Sequence, residues 1–146
     1  MNSKIQLLLA VTALTACAGA PERRDINLPG RSLSAVYSNA VQVGDTVYLS
    51  GKLGLDPETG AVPSSIEDEV RNALDGLAEV LAAAELEMND LVSVTVYCTD
   101  PALYDQFNAI YATYFDGTFP TRAFIGSGPL LRGAHFEVKG IAVRSR

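Results

Sequence analysis

The chain is poor in the residues that most often carry metal and nucleophile chemistry. Its 146 residues include two cysteines, one histidine and no tryptophan. With His135 alone, a histidine-rich metal site is excluded, and Cys17 and Cys98 stand too far apart for zinc-ligand spacing. No Gly-x-Ser-x-Gly elbow accompanies His135, so Ser-His-Asp catalysis lacks support, and the histidine reads as a solvated residue at a loop edge. Neither a P-loop nor a glycine fingerprint opening a helix occurs, which removes nucleotide-phosphate sites. Positive charge is also scarce: 11 Lys plus Arg face 17 Asp plus Glu, a net charge of -6. Nucleic-acid backbones demand the opposite balance. What is plentiful is apolar surface, at 48% hydrophobic residues, which opposes disorder and at this length implies one domain with one core.

The apolar run at the start is short. Lys4 precedes an uncharged stretch from Ile5 to Leu14, followed by Thr15, Ala16 and Cys17. A bilayer-spanning helix needs about 20 apolar residues, so this reads as a secretory signal over residues 1–16. Leu14-Thr15-Ala16-Cys17 resembles the lipobox of bacterial lipoproteins, in which the cysteine is lipidated. That resemblance implies an exported, envelope-anchored periplasmic protein; if the signal is not used, the protein stays cytoplasmic. Residues 17–33, with prolines, glycines and arginines, read as a tether, and residues 34–146 as the domain. With Cys17 lipidated, Cys98 has no partner in the chain, and its apolar run predicts a buried, inert thiol.

Two stretches, Tyr37 to Val43 and Thr46 to Gly51, flank the turn pair Gly44-Asp45 and predict a β-hairpin. Ser64 or Ser65 followed by Glu67, Asp68 and Glu69 predicts a helix start, and Val70, Leu74, Leu77, Leu81 and Ala84 form one apolar stripe to about Glu85. The β-branched run Leu91 to Cys98 reads as a central strand. Asp100-Pro101 then opens a second helix carrying Leu103, Phe107, Ile110, Tyr111 and Tyr114. Strands over Thr121 to Gly126 and Phe136 to Arg144 complete the order β-β-α-β-α-β-β. The expected fold is α+β, with two helices on one face of a mixed sheet and the other face in need of a partner.

A few polar residues interrupt the strands. Arg122 is placed either to grip a carboxylate through two parallel hydrogen bonds or to sit as a surface strand-end arginine. Glu137 shares a strand face with Lys139, Ile141 and Val143, and a solvated pair with Lys139 is the plain reading. Tyr37, Ser38 and Asn39 read as a polar hairpin start.

Taken together, Tyr37-Ser38-Asn39-Ala40-Val41, Ser50-Gly51, Asp56-Pro57-x-Thr59-Gly60, Val94-Thr95-Val96, Phe107-Asn108 to Tyr114-Phe115, Phe119-Pro120-Thr121-Arg122 and Glu137 before Gly140-Ile141-Ala142-Val143 resemble the RidA (YjgF) family of enamine/imine deaminases. The resemblance runs from about Ser34 to Arg144. It implies a chorismate-mutase-like fold, a homotrimer with sites in the clefts between subunits, and hydrolysis of 2-imino acids to 2-oxo acids and ammonia without metal or cofactor. It assigns the substrate carboxylate to Arg122, the attacking water to Glu137, and the site wall to Tyr37, Ser50 and Gly51. Alternatives outside catalysis are a trimeric binding protein for small carboxylates or a holdase-like interaction protein. Three positions depart from the family pattern: Val36, Lys52 and Phe124. Phe124 would narrow the cleft, and Lys52 would add charge if it points inward.

Overall fold

The computed structural model describes residues 20–30 and 36–145. The expected signal and Cys17 lie outside the described residues. The strands are β1 (Arg23–Ile26), β2 (Ala40–Val43), β3 (Thr46–Leu49), β4 (Lys52–Leu53), β5 (Leu91–Cys98), β6 (Thr121–Gly126) and β7 (Phe136–Val143). They form one sheet in the order β1-β2-β3-β7-β5-β6, with β4 also paired to β7. The β5–β6 pair is parallel and all the others are antiparallel. The sheet is mixed, with β1 and β6 as its two edges.

The helices are α1 (Ile66–Ala83) and α2 (Tyr104–Tyr111). Ser65 caps α1 by accepting from the Asp68 amide, and Glu67, Asp68 and Glu69 place acid at its positive end. Asp100 caps a short 3-10 turn, Pro101–Leu103, that leads directly into α2. Both helices cover the same face. Val70, Ala73, Leu74, Leu77, Val80 and Leu81 of α1 are fully buried, as are Val94, Val96, Phe136 and Val138 of the sheet. Each of these valine, leucine and phenylalanine side chains contributes about 1.5–3 kcal/mol of burial. On the other face Tyr48, Ile125 and Val143 remain exposed.

Two strands go beyond the expected order. Arg23–Ile26 of β1, inside the stretch read as a tether, pairs in full register with β2. The two-residue β4 follows a one-residue shift of register against β7, from Tyr48↔Ile141 to Lys52↔Val138. This is a bulge, and it turns Gly51 toward the face away from the helices.

Candidate active site

Arg122 is positioned by strand parity. In the parallel β5–β6 ladder it pairs with Val94, and Phe124 pairs with Val96; those valines face the helices, so Arg122 and Phe124 do too. From α2, Tyr104, Phe107, Asn108 and Tyr111 meet them at helical spacing. The Arg122 Nη2 donates to Asn108 Oδ1 at 2.6 Å and to the Tyr104 hydroxyl at 3.5 Å. Its Cζ lies 4.7 Å from the Tyr111 ring centroid, 5.6 Å from Tyr104, and 5.9 Å from both Phe107 and Phe124. Aromatic faces at these distances hold a guanidinium by cation–π attraction. A cavity of about 340 Å³ opens beside it, lined by Asn108, Tyr111, Ala112, Phe119, Pro120 and Arg122.

Tyr111 is 5% exposed, and among the described residues its hydroxyl has no hydrogen-bond partner. Burial pushes its pKa up to about 12, against the opposing pull of the Arg122 charge. A buried hydroxyl left unpaired costs about 1–3 kcal/mol. The edge is therefore polarised and only partly satisfied.

Glu137 stands on the opposite face. It pairs with Leu53 and Tyr97 across β4 and β5, alternating with the buried Phe136 and Val138. A Cβ on Gly51 would collide with Glu137 Oε1; only glycine lets the bulged backbone lie against this carboxylate. Ser50 Oγ donates to the Ser38 carbonyl at 2.7 Å, and the Ser50 amide to the Asn39 carbonyl at 3.0 Å. These bonds tie the exposed Tyr37 arm to the Gly51 bulge. The structure thus sets Gly51 against Glu137 and ties Ser50 to the segment that follows Tyr37. It does not bring Arg122 to them: within one chain the arginine and the glutamate project from opposite faces. The expected Glu137–Lys139 ion pair does not form.

The other departures resolve differently. Lys52 faces α1, with its stem against the Gly76 position, so it points away from Glu137. Burial lowers its pKa, and Glu79 partly offsets that. Phe124 packs edge-on against Tyr104 and Phe107 at 5.0 and 5.5 Å. It supports the arginine from beneath rather than lining the cavity. Val36 is 97% exposed. Cys98 is buried and free, and burial raises its thiol pKa.

His135 is not merely solvated. Its Nδ1 lies 2.7 Å from Glu69 Oε2, and the backbone amides of His135 and Phe136 donate to Glu69 Oε1 at 2.6 and 3.1 Å. Glu69 is fully buried. Reading it as a first-turn acid missed this role. The available signal was its place one residue before Val70, in line with the buried Ala73. Asn108 and Tyr111 were likewise read only as parts of a helix, because nothing in a helical stripe tells which polar atoms will meet an arginine 14 residues away.

A mixed sheet with two helices on one face and an aromatic-caged arginine at its edge defines a RidA/YjgF-type fold. The chain belongs to the family described as Endoribonuclease L-PSP, whose model matches residues 30–144; this is the RidA/YjgF family expected from the motifs. A curated relative from Mus musculus, named 2-iminobutanoate/2-iminopropanoate deaminase, is 43% identical over 109 residues, covering 74% of this chain and 81% of the relative. The crystal structure of E. coli TdcF with bound serine superposes with a TM-score of 0.77 at 30% identity, over 84% of this chain and 99% of that one. The YjgF gene product from E. coli gives 0.77 at 28% identity, with the same coverage.

Proposed function

We propose that the protein hydrolyses 2-imino acids such as 2-iminopropanoate and 2-iminobutanoate, releasing the 2-oxo acid and ammonia. The observation that carries this reading is Arg122. It is a fixed guanidinium beside an apolar cavity, in a chain whose relative at 43% identity bears the deaminase name. A protonated imine is already electrophilic, so the protein has only to orient it and deliver water. Arg122 holds the carboxylate, and Glu137 takes a proton from water as its oxygen adds to the imine carbon. Glu137 returns that proton to the nitrogen of the adduct, and as the C–N bond breaks the carboxylate takes the hydroxyl proton, leaving the carbonyl and ammonia. The family description mentions an endoribonuclease, but a net charge of -6 opposes binding to a phosphate backbone.

Because Arg122 and Glu137 project from opposite faces of one sheet, both reach a single substrate only across a contact between copies. The β6 edge of one protomer meets the Gly51–Glu137 face of the next, and a cyclic homotrimer closes such a head-to-tail contact. The exposed Tyr48, Ile125 and Val143 are the apolar surface this assembly covers. The same proposal keeps the N-terminal reading: a signal over residues 1–16, lipidation at Cys17, and an envelope location.

Imines generated in place by an amino-acid oxidase test the activity. Arg122→Ala is expected to slow imine hydrolysis by about a hundredfold or more, whereas a rate within twofold of wild type would sink the reading. Co-expressing Arg122→Ala with Glu137→Gln tests the shared site. Random trimers carry about a quarter of their sites intact, so activity absent from either variant alone returns. No recovery in a mixed trimer excludes a site built from two chains.

A further inference from the structure

Lys52 has no part in the site above, and its surroundings suit a different chemistry. Its stem lies along α1, where a Cβ at Gly76 would stand 3.6 Å from the Lys52 Cδ. Together with Leu53, Leu55, Asn72, Asp75 and Glu79 it lines a groove of about 440 Å³. Among the described residues its ammonium has no hydrogen-bond or ion-pair partner. Nor is the nitrogen sealed off, because Tyr111 alone among them has an unpartnered side-chain polar atom without accessible surface. We propose that this groove is a second site, in which the Lys52 amine condenses reversibly with a short neutral aldehyde to form an imine.

A lysine attacks a carbonyl as the free amine, and a desolvated ammonium without a close partner gives up its proton more readily than a hydrated one. Burial lowers the Lys52 pKa, and Glu79 only partly offsets that. The nitrogen lone pair adds to the carbonyl carbon. Both amine protons then pass to the carbonyl oxygen, which leaves as water, and a C=N bond replaces the C=O bond. One amine and one aldehyde become one imine and one water, with no oxidant or reductant. Glu79 is exposed on α1 and lines the same groove, where its carboxylate can carry those protons through solvent. The walls set the ligand. Leu53 and Leu55 offer apolar contact to a short chain, whereas Asp75 and Glu79 repel an anion. Asp75 is fixed there by Tyr114, whose hydroxyl donates to it at 2.7 Å. A 2-oxo acid is therefore disfavoured and an uncharged aldehyde preferred. This second site does not depend on the imine hydrolysis proposed at Arg122.

Reductive trapping tests the proposal. The full-length protein is treated with propanal and cyanoborohydride at neutral pH, with Nα-acetyl-lysine in the same solution as the unburied control. Lys4, Lys52 and Lys139 are the only lysines, so peptide mass spectrometry assigns each label. Lys52 is expected to react about tenfold or more faster than the control, at a rate that saturates as propanal rises. Gly76→Leu fills the groove but keeps the amine, and should abolish both the saturation and the rate advantage. Pyruvate, an anionic carbonyl, should label Lys52 no faster than the control. Equal propanal rates at Lys52 and the control overturn the proposal, as does a rate advantage that survives Gly76→Leu. Preferential labelling by pyruvate also overturns it, since an anion would then have entered between the carboxylates. If Gly76→Leu does not fold, wild type decides alone: labelling of Lys52 that rises linearly with propanal, as the control does, overturns the site.

Discussion

Glu69 and Arg122 are both charged residues turned into the layer between helices and sheet, and the Phe107–Phe136 ring pair lies between them. Glu69 reaches from α1 to the start of β7, where two backbone amides and the His135 ring meet its carboxylate within 3.1 Å. Arg122 reaches from β6 to α2, where one nitrogen finds Asn108 and the rest is surrounded by rings beside an open cavity with an unpaired hydroxyl. The first arrangement is closed: every oxygen has a donor, and nothing more can bind. The second is open, and its unfinished hydrogen bonding is the property a binding site needs. A buried charge with all its partners is structural; a half-buried charge beside an open cavity has room for a ligand.

The largest effect should come from breaking the closed end. Glu69→Ala leaves the His135 and Phe136 amides without an acceptor inside the fold and should lower stability by about 3–5 kcal/mol in urea unfolding. Arg122→Ala, by contrast, should cost less than about 1 kcal/mol of stability, because the group is half-open to solvent. Equal losses from the two would erase the distinction. Next in size is Gly51→Ala. Its new methyl group drives Glu137 from its place, so imine turnover should fall by about a hundredfold while the far-ultraviolet circular dichroism spectrum is unchanged.

A smaller effect sharpens the open end. Tyr111 has its pKa raised from 10.0 to about 12, so the folded state holds this proton more tightly than the unfolded chain does. Stability from this group is complete below pH 10 and is lost as pH rises from 10 to 12. Tyr111→Phe should flatten that alkaline decline in a melting-temperature series; a slope identical to wild type would show that the hydroxyl is not buried in solution. The smallest effect belongs to Lys52, which burial holds below the ordinary lysine pKa. Folding disfavours its charge at neutral pH, so Lys52→Met should raise the melting temperature slightly and leave turnover unaltered. A clear loss of activity would place Lys52 in the site after all.

Much of the fold was legible because local signals agreed with it. The run Leu91–Cys98 and the segment Thr121–Gly126 are strands at their expected bounds, and Ser65 caps α1 where Ser64 or Ser65 was anticipated. The strand β1 escaped because a charged four-residue stretch such as Arg23–Ile26 carries no alternation strong enough to mark it; its pairing with β2 creates it. The two residues of β4 escaped for the same reason. In the site, the motifs singled out Arg122 and Glu137, but no pattern marked Asn108, Tyr111 or Glu69 as anything beyond helix positions.

The amino-acid sequence by itself determined both helices and the longer strands and that the chain buries one apolar core, and its motifs single out Arg122 and Glu137. Periodicity, capping residues and motif order are local properties, and they act before the chain closes on itself. Only the tertiary structure decided that Arg122 and Glu137 leave the sheet on opposite faces, that Lys52 turns toward α1, and that Glu69 is satisfied while Tyr111 is not. Those outcomes depend on register and on which atoms meet across the helix–sheet layer. A one-residue bulge at Gly51 and a parallel pairing of Val94 with Arg122 fix them, and neither is written in any single stretch of the chain.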